Sequence, residues 1–476
     1  MIFPTIEFFL FFTIVLTLNW AFKPWPLIWR FFLLLSSYYF YALWDERFLL
    51  LLISVTLVNF LGALVIEKVN YFKKFYLFLF ILINLFCLSF FKYYDFFRTG
   101  AESVLEKFGI FYTFPLFDII LPLGLSFYVF RAISYIADVY SKKIPATKSL
   151  LDFSIYVSFF PQLFSGPISR AIDFLPQLKN GGAKKIDDFH KNLTLIILGL
   201  FKKIVISSYL ILNITDDVFA VPENHSALVV WLALLSYYLV IYFDFSGYSD
   251  MAIGFAGLLG FESPINFNTP YLATSIKDFW RRWHITLSSW IKDYVYIPLG
   301  GNRHGLIVKY LNLTIIMILI GLWHGASMNY IIWGGIQGIG LVIFNLRHDI
   351  EKKLFPNKKE HGIRDIFGKI SGWIFTFAFI LFSWVFFKAR TSEIAITYLK
   401  SLFDFNRPIE SFQLLIPIYI IIGFFLVFFE KQIINIMVRI KEKMPWPILG
   451  IYIATLLVLV FKLSQDIMPP FIYFDF

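Results

Sequence analysis

Residues 266–305 read NFNTPYLATSIKDFWRRWHITLSSWIKDYVYIPLGGNRHG, and after one apolar run residues 321–335 read GLWHGASMNYIIWGG. Charge, amide and imidazole groups concentrate in these two blocks. The chain around them is 59% hydrophobic and only 16% charged over 476 residues. A soluble globular domain carries about a quarter charged residues. With 60 phenylalanines, most of the surface must face lipid rather than water. Ionisable groups at membrane depth are expensive and mark a pathway or a site. The apolar background therefore sets the fold class, an all-α polytopic membrane protein, and the polar blocks locate the chemistry.

Outward from these blocks, apolar runs recur at roughly the length that spans a bilayer. Examples lie at 117–140, 149–165, 226–245, 249–262, 308–323 and 327–346. The full set predicts roughly 10 to 13 crossings, with some pieces re-entrant or interfacial. The Pro- and Gly-bearing stretches at 159–167 and 244–270 are expected to break helices. No linker, second domain or internal repeat stands out, so residues 1–476 read as one membrane domain with a catalytic core over about 120–347. The start, MIFPTIEFFLFF, lacks a basic leader and reads as a first span.

The formal net charge of +10 points to anionic headgroups of membrane lipid, not to nucleic acid. Basic residues gather at Lys68, Lys73 and Lys74, at Lys142, Lys143 and Lys148, at Arg347, Lys352, Lys353, Lys358 and Lys359, and at Lys431, Arg439, Lys441 and Lys443. The loop with Asp216, Asp217 and Glu223 is acidic, as is the C-terminal FIYFDF. The positive-inside rule then predicts that both termini face outward. The single cysteine, Cys87, sits in an apolar run and reads as a small buried hydrophobe.

Phe279, Trp283, Trp290 and Tyr294 recur at roughly helical spacing within 275–294, with Asp278, Arg281, Arg282 and Lys292 largely off that stripe. This predicts an amphipathic interfacial helix. Its basic face either anchors to headgroups or attracts an anionic donor such as the phosphates of coenzyme A. His324 lies between two apolar runs bracketed by Arg303 and Lys309 before and Arg347 after. The runs predict a hairpin with His324 near its turn. A membrane-embedded histidine suits acyl transfer, because a neutral imidazole can take the proton of an attacking hydroxyl. The alternative is an interhelical hydrogen bond. Oxyanion donors within sequence reach are Asn329, Trp323 and backbone amides near Gly325.

Asp244, Ser246, Tyr248 and Asp250 interrupt an apolar run and either line a channel or tie helices together. Asn266, Asn268, Tyr271 and Asp278 carry the same two readings, and Gln162, Ser165 and Arg170 could line the same cavity. His190, His225, His304, His348 and His361 read as solvated. No serine-nucleophile elbow, phosphate loop or Cys/His metal spacing occurs, so no metal site is expected.

The chain resembles the membrane-bound O-acyltransferase (MBOAT) family. FFPQLFSGPISR (159–170), the 266–305 block and GLWHGASMNYIIWGG (321–335) carry the likeness, which is greatest to the bacterial alginate and peptidoglycan O-acetyltransferase branch. The resemblance implies a ring of helices around a central tunnel. It gives His324 the catalytic role and makes His284 the second characteristic histidine. It implies no bound cofactor, with acetyl-CoA or another acyl thioester as donor. The implied acceptor is an exported polysaccharide or peptidoglycan, reached directly or through an extracytoplasmic SGNH-type partner, and the implied location is the bacterial cytoplasmic membrane. D-alanyl transfer to teichoic acid, or transport without covalent chemistry, are the competing readings.

Overall fold

A computed structural model describes residues 3–117, 119–182, 186, 188–354, 363–465 and 469–472. Lys358, Lys359, His361 and residues 473–476 of the C-terminal stretch lie outside the described residues. Among the described residues the regular structure is helical throughout, with no strand. Its main helices are α1 (Ile6–Phe22), α2 (Pro26–Ala42), α3 (Glu46–Lys68), α4 (Lys73–Lys107), α5 (Leu125–Tyr140), α6 (Leu150–Ser158) and α7 (Ala171–Lys179). They continue with α8 (Phe189–Ala220), α9 (Ala227–Leu258), α10 (Ile276–Arg282), α11 (Ile285–Ile291), α12 (Gly305–His324) and α13 (Met328–Leu354). The last four are α14 (Ile363–Lys388), α15 (Ser392–Ser401), α16 (Leu415–Glu442) and α17 (Trp446–Lys462). Eight of these helices are long and apolar enough to cross a membrane, and α1 and α17 are shorter apolar helices.

The described chain divides into two compact units, residues 1–193 with 251–264, and residues 194–250 with 265–476. In the first, α3 and α4 are joined within their apolar lengths by a reciprocal amide pair. The Asn59 and Asn84 side chains donate to one another at 2.9 and 2.8 Å. The helix expected over 117–140 begins only at Leu125, because Pro122 precedes it and Gly124 adopts the left-handed conformation (φ 73°) at its start. The run expected over 149–165 breaks where predicted. α6 stops at Ser158, and Phe159 leaves the helical conformation (ψ 106°) ahead of Pro161. The fully buried Arg131 caps the break, donating to the carbonyls of Tyr156, Val157 and Gln162 at 3.3, 3.4 and 2.7 Å. Without it, freed carbonyls would be stranded in an apolar interior. The Gln162 amide is committed to Ser263 and Ser169. Ser165 is buried beside it, and Arg170 immediately precedes α7.

In the second unit, the expected break over 244–270 occurs only in part. α9 runs unbroken through YFDFSGYSDM to Leu258, and irregular chain begins near Gly260. The polar residues are tolerated because the helix opposite supplies two cations. α8 contains two widened turns, Phe201–Ser207 and Ile211–Thr215, in which the Ser208 and Asp216 amides reach back five residues to Lys203 and Ile211. Gly247 lets the helices approach, since a Cβ there would lie 2.7 Å from the Gly199 carbonyl. The adjacent Lys202 and Lys203 are both buried and both point at α9.

Candidate active site

The site is organised by a backbone break and a helical hairpin. The 275–294 segment, expected as one amphipathic helix, is two short helices divided at His284. Ser275 caps α10 by accepting from the Asp278 amide at 3.1 Å, and α10 ends at Arg282. His284 then takes a left-handed conformation (φ 41°), uncommon for a residue with a side chain. The preceding segment holds it there, for the Asn268 amide donates to the Arg282 carbonyl at 3.0 Å and the Ile285 amide to the Asn266 carbonyl at 2.9 Å. The Asn266 side chain adds a bond from the Thr286 hydroxyl at 2.6 Å. Sequence periodicity cannot register such pinning, because its cause lies about twenty residues away. The result is a His284 ring with no solvent exposure, edge-on to Phe245 at 4.7 Å. Burial pushes its imidazole down to about 3, so the ring is neutral at physiological pH.

His324 is the last residue of α12, and residues 325–327 turn into α13. The hairpin is tight because Gly321 and Gly334 leave room for it. A Cβ at Gly321 would collide with the Tyr330 carbonyl, and one at Gly334 with the Met317 carbonyl. His324 is 3% exposed and ringed by aromatic groups. Trp323 lies at 4.8 Å, Phe387 at 4.9 Å and Trp333 at 5.3 Å between ring centroids. The Trp323 indole also meets His284 at 5.8 Å, so the two histidines flank one indole. The fold thus brings together His284, Trp323 and His324, which the sequence separates by up to about forty residues. Further stacking, Trp333 on Trp384 at 5.5 Å and Trp384 beside Trp283 at 5.4 Å, makes the surrounding wall aromatic and rigid.

Other singled-out residues are spent locally. Asn329 donates to the Ala389 carbonyl at 2.7 Å and accepts from Ser392 at 2.7 Å, tying the start of α13 to the end of α14. Asp278 accepts from Arg282 at 2.9 Å in a part-exposed pair, while Arg281 is exposed. The Tyr271 hydroxyl donates to the Tyr238 carbonyl at 2.5 Å. His225, expected to be solvated, is largely buried and bonds Glu410 at 2.8 Å. His304 and His348 are exposed.

Asp244 and Asp250 define a second polar cluster that sequence reading saw only from one side. Lys203 pairs with Asp244. Lys202 pairs with Asp250 at 2.6 Å and also with Glu430 on α16, which accepts from the Tyr242 hydroxyl at 2.7 Å. Lys203 further donates to the carbonyls of Pro469 and Pro470 at 3.2 and 3.0 Å, and Asp244 accepts from the Ile472 amide at 2.8 Å. Residues 469–472 are therefore bound to α8 and α9, with Phe471 packed on Phe245 at 5.7 Å and Tyr248 at 4.8 Å. Lysines flanked by apolar residues in a span were the available signal, a pair at 202–203 with no nearby loop.

A helical membrane architecture with two buried imidazoles about a shared indole defines the class to which comparison must answer. Residues 139–389 match the membrane-bound O-acyltransferase family. The chain is 40% identical over 377 residues to the probable alginate O-acetylase AlgI of Pseudomonas syringae pv. tomato, covering 79% of this chain and 70% of that one. It is 37% identical over 409 residues to the peptidoglycan O-acetyltransferase of Helicobacter pylori, covering 80% and 75%. A more distant likeness, 28% over 291 residues, covers 58% of this chain and 71% of the teichoic acid D-alanyltransferase of Bacillus subtilis. The chain belongs to the membrane-bound O-acyltransferase family. It is a multi-pass membrane protein and an O-acyltransferase.

Proposed function

We propose that this protein moves an acetyl group from a cytoplasmic thioester, acetyl-CoA or an equivalent donor, to a hydroxyl of an exported polysaccharide. It does so in the bacterial cytoplasmic membrane with both termini outside, directly or through an extracytoplasmic SGNH-type partner. His324 is the general base. The acceptor O–H proton passes to the neutral imidazole as the oxygen attacks the thioester carbonyl. The tetrahedral intermediate then collapses, its C–S bond breaks, and the imidazolium returns the proton to the leaving thiolate. His284, neutral and across Trp323, orients the acceptor or the indole rather than carrying charge. Arg281, exposed at the end of α10, and Arg282 beside it hold the anionic part of the donor. A water-poor aromatic surround limits hydrolysis of the thioester.

The observation that supports this reading most is the burial of His324 at a hairpin tip, in an aromatic cage shared with His284. The relatives named for alginate and peptidoglycan O-acetylation match over about four-fifths of the chain, which favours a polysaccharide acceptor over teichoic acid D-alanylation. The test is His324→Gln in cells. Ester content of the surface polysaccharide should be abolished while the variant accumulates normally in the membrane. Unchanged ester content at equal expression would refute the assignment.

A further inference from the structure

Several indole N–H groups in this structure find an acceptor within the protein. Trp29 donates to Asn19 at 2.8 Å, Trp231 to the Leu402 carbonyl at 3.1 Å, Trp373 to the Tyr271 carbonyl at 2.9 Å and Trp280 to Gln337 at 3.2 Å. Trp384 departs from this pattern among the described residues, and so does Trp333, which lies against His324. Trp333 has no solvent exposure, and its Nε1 has no hydrogen-bond partner among the described residues. An apolar membrane interior offers no bulk water, so such a donor is expected to meet an acceptor that comes with a ligand. Its position says which one. The Trp333 ring meets the His324 ring edge-on, 5.3 Å between centroids at 83°.

Two neighbouring side-chain amides are already committed. Asn329 is bound to Ala389 and Ser392. Gln337 accepts from Trp280 and donates to Ser383 at 2.8 Å. Trp333 is also held in one orientation, stacked on Trp384 and edge-on to Phe387 at 5.0 Å, so its N–H direction is fixed before anything binds. A donor fixed in advance is the property that oxyanion stabilisation requires, because it costs no reorganisation as charge develops.

We propose that Trp333 is a catalytic residue whose Nε1–H donates to the carbonyl oxygen of the acyl group under attack, and so stabilises the oxyanion of the tetrahedral intermediate. This rests on His324 as the base. One ring takes the proton of the attacking hydroxyl while the other receives the negative charge on the carbonyl oxygen. Apart from the proton that His324 takes up and returns to the leaving thiolate, no residue of this chain changes its covalent bonding. The pairing also explains why a tryptophan is suited to the position. Phenylalanine could pack there, but only an indole combines that packing with a donor.

The test replaces Trp333 by benzothienylalanine, which exchanges the N–H for sulfur and keeps the ring shape, with Trp333→Phe as a genetically simple second variant. The initial rate at which O-acetyl ester appears on surface polysaccharide is followed at matched membrane expression. Thermal stability of the full chain in detergent is recorded beside it. Loss of one oxyanion donor is expected to slow the reaction by about 10²–10³-fold. The benzothienyl variant should show this loss with an unchanged melting temperature. A loss smaller than about tenfold in that variant overturns the proposal. A comparable loss accompanied by a lower melting temperature also overturns it, because the indole would then be serving packing. His324→Gln in the same cells keeps the two readings apart. If that variant stays active, the base assignment fails whatever Trp333 does.

Discussion

Replacing Lys203 by methionine should destabilise the protein severely, and replacing Asp244 as well should recover much of the loss. The Lys203 and Asp244 side chains are only 3% and 4% exposed. Removing the lysine leaves a carboxylate with the Ile472 amide and the Ser207 hydroxyl as its remaining donors, at 2.8 and 3.3 Å. Breaking a buried pair from one side costs about 3–5 kcal/mol, because the stranded charge keeps its desolvation penalty. Asp244→Asn strands the lysine instead, with only the Pro469 and Pro470 carbonyls to receive it. The double variant strands neither charge, and the amide oxygen that Asp244→Asn introduces can still accept from the Ile472 backbone N–H. The coupling energy should therefore exceed about 2 kcal/mol. Neutral hydrogen bonds between membrane helices couple by only about 0.6 kcal/mol on average. The two possibilities are thus well separated. Reversible denaturation in mixed detergent micelles, run on both single variants and the double, measures the cycle. A coupling at or below the neutral value would mean that the pair does not carry charge across a dry contact, and that something else holds α8 against α9.

Gly321→Ala should splay the α12–α13 hairpin, because its new methyl group meets the Tyr330 carbonyl. A cost of about 1–3 kcal/mol with reduced esterification is expected, read as a lower melting temperature and lower product ester. Gly335→Ala is the control, for its Cβ meets nothing within 4 Å and should be neutral or slightly stabilising. Arg281→Ala combined with Arg282→Ala should raise the KM for the thioester donor about tenfold, the equivalent of about 1.4 kcal/mol. The acceptor KM should stay within about twofold in the same initial-rate assay, and equal losses for both substrates would assign the pair to membrane anchoring.

Apolar run length and composition are sufficient to read a polytopic helical chain, because lipid as solvent leaves the backbone few alternatives. They also predict the hairpin that ends in His324, since basic residues flank both of its arms. What escapes them are features set by distant partners. A single apolar-plus-aromatic period over 275–294 conceals the turn at His284, which the backbone of Asn266 and Asn268 imposes. Asp244 and Asp250 suggest a broken helix, while their neutralising lysines lie 41 and 48 residues earlier, on a different helix. Asn329 is plausible as an oxyanion donor until the turn after α14 claims both ends of its amide. Trp333 lies in the 321–335 block, but nothing in the sequence separates it from the other tryptophans. Its chemistry depends on an acceptor that arrives with substrate, and one tryptophan in an apolar run looks like any other.

The attachment of residues 469–472 to Lys203 and Asp244 bears on how the protein is made. These bonds close loops of 228 to 267 residues. A ribosome feeds α8 and α9 into the bilayer long before it delivers the segment that completes their polar contacts. Until then the lysine–aspartate pair waits with its outer bonds unmade, in an assembly that is only partly sealed. Final closure of this half of the protein is thus a late event in biogenesis, and a chain shortened before Pro469 should dwell in that unfinished state, open to quality-control proteolysis.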